Sequence, residues 1–310
     1  MIQGFLKAAA LFILGWLITQ YWPVTIYVRG SSPEEHFSIR MPLKDKRRLE
    51  FLFREVCFLN AWAYTLLGSK PMSIDQYTKP WYAFRNSFKN SDFNDILKEC
   101  AWPPNIQRIC YELTPREWKM KLGWETLNKY LLHFPNSRFF LFARCRIGNE
   151  VVDFRLVDKL KIIEVVRNYF NDFRDVLINQ KISPEDLLQR ENMRIFLENL
   201  KHDGLFGTLL GFGRDNAWCF FKYHGMDPFK RPMVSAWLEE EKIHLEQLNV
   251  KVQSFQSWEL SDVFYPRFAC DPDSEETKHL KQVYREERKK IIEYYAGKDI
   301  VEATLSLFNQ

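Results

Sequence analysis

The chain has 310 residues, of which 46% are hydrophobic and 27% are charged, and its formal net charge is +4. This small positive excess is spread along the chain, which excludes the concentrated basic face typical of nucleic-acid-binding proteins, so no nucleic acid partner is expected. Because there is no low-complexity run and no Gly/Ser-rich or Pro-rich linker, the sequence predicts one globular domain, residues 30–310, behind an N-terminal segment, residues 1–29.

The N-terminal segment has the composition of a membrane anchor. Between Lys7 and Arg29 lie 21 consecutive uncharged residues, Ala8 to Val28. A helix needs about 20 apolar residues to cross a bilayer, so this run is long enough to span one. The sequence therefore predicts one N-terminal transmembrane helix that contacts the membrane through residues 4–28.

Two other interpretations of this segment stay open, a cleaved export signal and a buried N-terminal helix of a soluble protein. A cleaved signal should end in small residues, whereas this run ends near Tyr21 and Trp22, which favour the boundary between membrane and water. More positive charges follow the run than precede it, and positive flanks tend to stay in the cytoplasm. We therefore expect an uncleaved, single-pass anchor with a cytoplasmic body.

Apolar spacing and capping residues predict helices along the rest of the chain. Proline at the first helical position and acidic residues in the first turn mark several starts. The predicted helices are Asp45–Leu67, one from Thr114-Pro115-Arg116-Glu117 to about His133, Asp158–Leu177, one beginning at Ser183-Pro184-Glu185-Asp186, and a long one beginning at Asp273-Ser274-Glu275-Glu276.

Two short runs between these helices predict a β-hairpin. They are Phe139–Cys145 and Val151–Val157, and a turn containing Gly148-Asn149 separates them. In the second run, apolar and charged residues alternate, as in a strand with one buried face. The predicted fold class is therefore α+β, rich in helices and with a small antiparallel sheet.

The six cysteines and six histidines show no metal-binding pattern. No C-x-x-C occurs, and no histidine stands at ligand spacing from a cysteine, so neither a metal site nor a cofactor is predicted. The scattered cysteines are interpreted as reduced thiols of the core. Cys100 and Cys110 are close enough in sequence to form a disulfide if the domain were exported.

The segment Gly68-Ser69-Lys70 stands where the first predicted helix ends. Backbone amides and a lysine at such a turn could hold a phosphate, but the earlier glycine and the strand-to-helix context of a phosphate loop are missing. The pattern favours a helix end with a solvated Lys70. Lys70 is nevertheless retained as a candidate ligand-binding residue.

A glycine-dense stretch, Gly204 to Gly213, is followed abruptly by Arg214-Asp215-Asn216. Glycines at 207 and 211 would allow a neighbouring helix to approach closely. The polar group that follows supplies further candidate ligand-binding residues, which are Arg214, Asp215 and Asn216, together with His202. The alternative interpretation is a structural ion pair and cap at a helix end.

Three segments carry a resemblance to a known family. They are Leu66-Leu67-Gly68-Ser69-Lys70-Pro71-Met72, Leu210-Gly211-Phe212-Gly213-Arg214-Asp215-Asn216 and the stretch from Phe268 to Thr277. In this order they resemble an uncharacterised protein family of chlamydia-like intracellular bacteria, and the resemblance extends over about residues 46–293. It implies a bacterial membrane and an intracellular lifestyle, and it implies no activity.

Two functional hypotheses follow from the sequence. In the first, the chain is a membrane-anchored protein-protein interaction module of an intracellular bacterium. In the second, it is an enzyme or small-ligand-binding protein with a polar pocket around Lys70, Arg214 and Asp215. The motifs of serine hydrolases, zinc proteases, nucleotide-binding folds and kinases are missing, so the sequence leaves open whether the chain is an enzyme.

Overall fold

The computed structural model describes residues 19–30, 36–76, 116–145, 151–223, 234–237 and 263–310. The α-helices in these ranges are α1 (Leu43–Phe53), α2 (Trp62–Leu66), α3 (Arg116–Leu131), α4 (Lys159–Asn168), α5 (Phe170–Gln180), α6 (Arg190–Asn199), α7 (Asp203–Leu209), α8 (Arg214–Tyr223), α9 (Glu275–Tyr295) and α10 (Ile300–Phe308). The strands are β1 (Pro23–Arg29), β2 (His36–Pro42), β3 (Met72–Gln76), β4 (Phe139–Cys145), β5 (Val151–Asp158), β6 (Val234–Ser235) and β7 (Ala269–Cys270). The fold is therefore α+β, rich in helices and with small antiparallel sheets, as predicted.

The chain divides into two compact units. Unit 1 consists of residues 1–53 and 77–135, and unit 2 consists of residues 54–76 and 136–310. Each unit is therefore built from two separate stretches of sequence. The three sequence segments 66–72, 210–216 and 268–277 all lie in unit 2.

In unit 1, β1 and β2 form an antiparallel pair in which Ile26 faces Ile39. Ile26 and Val28 are fully buried, whereas Tyr27 between them is 65% exposed, which is the alternation of a strand with one buried face. This strand corrects the predicted membrane helix, because residues 23–28 belong to β1 and not to a helix. Residues 1–18 of the predicted anchor lie outside the described residues.

None of the helices in the described ranges is both long enough and apolar enough to cross a membrane.

Unit 1 also contains the contact between α1 and α3. A Cβ atom added at Gly123 would lie 2.8 Å from Leu52 Cβ, so the two helices approach closely at this glycine. Beside this contact, the buried Asp45 carboxylate accepts hydrogen bonds from Lys129 Nζ at 3.0 Å and from the Tyr130 hydroxyl at 2.9 Å. The helix predicted to run to about His133 is confirmed as α3, and its predicted cap, Thr114-Pro115, lies outside the described residues.

Unit 2 is built on an antiparallel sheet with the strand order β3-β5-β4. The predicted hairpin is confirmed, because β4 pairs with β5 and Leu141 faces Leu156. The sequence pattern is wrong about one face of β5. Arg155 was predicted to face away from the core, yet only 5% of it is exposed and its guanidinium lies 5.4 Å from the centre of the Phe206 ring.

Helices α4 to α7 cover one side of this sheet, and the core of unit 2 lies between these helices and the sheet. Its buried apolar residues come from all of these elements and include Met72, Val157, Ile162, Val166, Phe173, Leu177, Met193, Phe196 and Leu209. The rings of Phe173 and Phe196 lie 6.0 Å apart, centre to centre, where α5 packs beside α6. The amphipathic pattern of these helices is therefore used to cover the sheet.

Three of the predicted helices are interrupted. The helix Asp45–Leu67 consists of α1, a π-helical segment (Arg54–Leu59) and α2, with a break at Ala61, whose φ is +62°. The helix Asp158–Leu177 is broken at Tyr169 into α4 and α5. The helix after Ser183 begins as a 3-10 helix, Glu185–Leu188, and continues as α6.

Candidate functional site

The three segments that stood out in the sequence meet in space within unit 2. The Lys70 amine donates a hydrogen bond to Leu210 O, and Asn216 Oδ1 accepts one from Thr277 Oγ1 at 3.0 Å. The rings of Phe212 and Phe268 are stacked, with their centres 5.6 Å apart. We call this meeting point of residues 66–72, 210–216 and 268–277 the three-segment junction.

Lys70 is the central residue of the three-segment junction. It lies between the end of α2 and the start of β3, and only 4% of it is exposed. Its Nζ atom lies 5.0 Å from the centre of the Phe212 ring, and no carboxylate of the described residues forms an ion pair with it. Burial lowers the pKa of Lys70 to about 7. The predicted solvated lysine is therefore wrong.

Gly211 shapes the loop that encloses Lys70. Its φ is +75°, a value that side-chain-bearing residues rarely adopt. A Cβ atom at this position would also lie 2.7 Å from the Tyr284 hydroxyl and 3.2 Å from Lys70 Cγ. The Tyr284 hydroxyl donates a hydrogen bond to Gly211 O at 2.5 Å, so the close approach expected from the sequence is confirmed here.

Arg214 and Asp215 are placed at the surface and not beside Lys70. The Arg214 guanidinium binds the Asp172 carboxylate through two hydrogen bonds, of 2.6 Å and 3.1 Å, and this pairing raises the pKa of Arg214. The side chain of Asp215 is 75% exposed. Within the described residues, no hydrogen bond or ion pair joins Lys70 to either side chain. The arrangement matches the structural ion pair that the sequence left as an alternative.

Asn216 and the start of α8 have a structural role. The Glu276 carboxylate accepts hydrogen bonds from the backbone N–H of Asp215 at 3.2 Å and from that of Asn216 at 2.8 Å. It therefore satisfies two N–H groups that the first turn of a helix leaves without partners. The Asn216 side chain is buried and joins α8 to the segment that precedes α9.

His202 lies apart from the three-segment junction at the N-terminus of α7. Its Nδ1 atom accepts a hydrogen bond from the backbone N–H of Leu205 at 3.4 Å. Its ring lies 4.6 Å from that of Trp218 and 3.9 Å from that of Phe221, centre to centre. His202 therefore caps a helix and packs against aromatic rings.

A buried polar network beside the junction was not predicted from the sequence. Glu287 Oε1 accepts a hydrogen bond from Ser69 N at 2.6 Å, and burial raises the pKa of this carboxyl group. Lys161 Nζ donates to Thr65 O at 2.9 Å and to Gly68 O, and it forms an ion pair with Asp158 at 3.2 Å. Burial lowers the pKa of Lys161.

Asp158 anchors the far end of this network. Its side chain is fully buried and binds the guanidinium of Arg138, with 2.9 Å between Arg138 Nε and Asp158 Oδ1. Asp158 also caps α4 through the N–H groups of Leu160 and Lys161. The sequence predicted a helix that starts at Asp158, but it did not predict the pairing with Arg138, 20 residues earlier.

A surface groove of about 480 Å³ lies between α4 and the 3-10 helix. Leu160, Ile163 and Leu188 supply its apolar lining, and Leu160 and Leu188 are 52% and 46% exposed. The rim is charged, because Arg167 Nη2 lies 2.5 Å from Glu185 Oε1 across the groove. The Arg167 hydrogen bond lowers the pKa of Glu185. No pattern singled out this groove, because its two walls come from separate elements.

In the part of the chain that the structure describes, no three His, Cys, Asp or Glu side chains are grouped so that they could hold a metal ion. Cys57 is a free thiol, and burial raises its pKa to about 12, so it is an unreactive core residue. Cys100 and Cys110 lie outside the described residues.

No family model, curated protein or solved structure matches this chain.

Proposed function

We propose that this chain is a membrane-anchored protein that binds a protein partner through the groove between α4 and the 3-10 helix of unit 2. The observation that supports partner binding is this groove, in which the half-exposed Leu160 and Leu188 lie beside the buried Ile163. Large apolar side chains that remain exposed together on one surface are typical of protein-binding sites. The resemblance to the bacterial family supplies the cellular setting of the proposal.

The charges around the groove define the chemistry of the partner. Arg167 is paired with Glu185, whereas Glu164 forms no ion pair with a described residue and is exposed on the same face of α4. Glu164 therefore leaves one negative charge without compensation beside Leu160. A partner segment that presents an apolar side chain followed by Lys or Arg would complement both features, as helices bound in apolar grooves do.

Photo-crosslinking tests the groove in the full chain. In one variant of the full chain, expressed in the bacterial cell, a photoreactive phenylalanine analogue replaces Leu188. In a second variant of the same chain, the analogue replaces Lys289, an exposed residue of α9. We expect a discrete adduct from the groove position only. Mass spectrometry of the linked peptide should identify a segment with an apolar side chain next to a basic one.

Two substitutions decide whether the adduct depends on the groove. Leu160→Asp places a charge on the apolar lining, and Glu164→Lys reverses the rim charge, so both should remove the adduct. Glu293→Lys makes the same charge change on an exposed position of α9 and should leave the adduct intact. Adducts that survive both groove substitutions, or equal adducts from Leu188 and Lys289, would contradict the proposal.

The membrane contact is proposed for residues 4–22, with a cytoplasmic body. Because β1 begins at Pro23, a membrane helix has to end before it. The fifteen uncharged residues from Ala8 to Trp22 would extend about 22 Å as a helix, less than the hydrocarbon core of about 30 Å, so spanning requires residues 4–7 as well. Lys7 would then direct its amine to the lipid headgroups.

Exposed aromatic residues of unit 1 support this membrane contact. Tyr21, Trp22 and Tyr27 are 58%, 61% and 65% exposed, and Lys44 Nζ lies 3.9 Å from the centre of the Tyr21 ring. Aromatic rings and a cation in this arrangement favour the headgroup region of a bilayer. We expect the full chain to remain in membranes after alkaline carbonate extraction. Release into the supernatant would refute the anchor and leave the groove experiment unaffected.

A further inference from the structure

The enclosure of Lys70 is unusual because the amine has so few partners. In the described part of the chain, its one hydrogen-bond acceptor is Leu210 O, and its other near neighbour is the face of the Phe212 ring. An ammonium group has three N–H donors and a full charge, and burying it without a counter-ion is costly. Such a group either loses its proton or requires the surrounding structure to open.

The covering over Lys70 is a short loop, residues 210–213, that joins α7 to α8. Two of its four residues, Gly211 and Gly213, have positive φ values of +75° and +85°. The loop is attached to α9 by the hydrogen bond from Tyr284 to Gly211 O. Glycine-rich connections between helices are the places where a backbone can change its dihedral angles with the least steric hindrance.

We infer that Lys70 and the loop 210–213 form a proton-operated latch: a neutral amine keeps the loop closed, and uptake of a proton opens the loop and exposes the amine to water. Opening would break the Lys70–Leu210 and Tyr284–Gly211 hydrogen bonds together, which would loosen the contact of α7 and α8 with α9. The pKa of Lys70, lowered to about 7 by burial, sets the lower end of the pH range over which proton uptake favours the open loop.

Other titratable groups contact the residues next to Lys70 and its loop. They are Lys161 at Gly68 O, Glu287 at Ser69 N, Glu276 beside Gly213, Tyr284 at Gly211 O, and Tyr64, whose ring packs against that of Tyr284. Burial raises the pKa values of both tyrosines, so neither ionises near neutral pH. Glu287 is a carboxyl group whose pKa is raised by burial, and Glu287→Gln therefore tests its contribution directly.

Hydrogen exchange of the full chain measures the latch. Peptides that cover residues 205–213 are followed at about pH 8.5 and about pH 6, with rates corrected for the intrinsic pH dependence of exchange. In the wild type, protection of this loop should fall by up to about tenfold per pH unit as the pH is lowered towards about 7, because the opened loop binds a proton there that the closed loop does not. Below about pH 7 the protection should change little further, because the amine is then protonated in both states. Peptides from β4 should keep their protection.

Neutral replacements of Lys70 separate the latch from general effects of pH. Lys70→Met fills the same space without a titratable group, and Lys70→Gln retains an N–H donor for Leu210 O. The response of the loop should disappear in both variants and persist in Glu287→Gln. An unchanged response in either Lys70 variant, or a wild-type loop that keeps its protection at about pH 6, would overturn the inference.

Discussion

Glycine at position 211 meets two separate requirements, a positive φ and a close neighbour. Gly211→Ala would strain the backbone and also force the new Cβ against the Tyr284 hydroxyl, which lies 2.7 Å from that position. Gly297 is the matched control, because its φ is +68° and an added Cβ would meet nothing within 4 Å. Any difference between the two alanine variants therefore measures packing against Tyr284 and Lys70.

We expect Gly297→Ala to destabilise the protein by about 1 kcal/mol and Gly211→Ala by at least about 1–3 kcal/mol more. Urea denaturation of both variants checks this difference. Equal losses would show that the junction accommodates a methyl group, and the close contact at Gly211 would then be of no energetic importance.

The burial of Lys70 could not be predicted from the sequence, although the end of the helix before it could. The end of the preceding helix was predicted correctly, since α2 stops at Leu66, just before Gly68. The solvation of Lys70 depends on Leu210 and Tyr284, which lie 140 and more positions away, and no local pattern reports such distant neighbours. The same reason explains why the pairing of Glu287 with Ser69 was not predicted.

The contact between α7 and α8 depends on a glycine at the helix surface. Gly207→Ala would normally strengthen a helix, because alanine has the higher helix propensity. Here the added Cβ would lie 2.9 Å from Ala217 Cβ on the facing helix. We expect net destabilisation by about 1–3 kcal/mol, since the two helices would have to move apart.

A reciprocal substitution tests whether this loss comes from the helix contact. Ala217→Gly removes the facing methyl group, so the double variant Gly207→Ala/Ala217→Gly should recover part of the stability that Gly207→Ala loses. Thermal unfolding of the single and double variants gives the coupling. Additive losses would show that the two positions do not interact.

Several helix starts and the β4–β5 hairpin were predictable because their signals are local, whereas β1, β2 and β3 were not predicted. Ser274 accepts a hydrogen bond from Thr277 N at 3.1 Å, and Ser183 and Asp186 cap one another, as their spacing predicts. The interruption at Ala61 was not predictable, because alanine favours a helix and only its surroundings hold it at a positive φ. The hairpin was predicted from the alternation of apolar and charged side chains. The burial of Arg155 was not predicted, because it depends on contact with Phe206 of α7, which is distant in sequence.

The stability of the whole molecule should depend on pH through Lys70. Its pKa is about 7 in the folded chain and about 10.5 in an unfolded one. Between these values the unfolded chain binds more protons, so the free energy of unfolding should rise with pH, by at most about 1.4 kcal/mol per pH unit. Below about pH 7 both states carry the charge, and this contribution becomes constant.

Urea denaturation at several pH values between about 7 and 10 measures this slope. Lys70→Met should reduce it and raise stability at neutral pH, whereas Lys289→Met, at an exposed position of α9, should leave the slope unchanged. Lys161 adds a slope of the same sign, because burial lowers its pKa too. An identical slope in Lys70→Met and wild type would contradict the assignment to Lys70.

The order of segments in the two units has a consequence for synthesis on the ribosome. Unit 1 needs residues up to 135, although residues 54–76, made earlier, belong to unit 2. Unit 2 needs α10, whose fully buried Phe308 packs against Phe139 of β4, with ring centres 5.9 Å apart. During synthesis, β3 therefore remains without its partner strand β5 until about 75 further residues have left the ribosome. The speed of translation over these residues should affect the yield of folded protein.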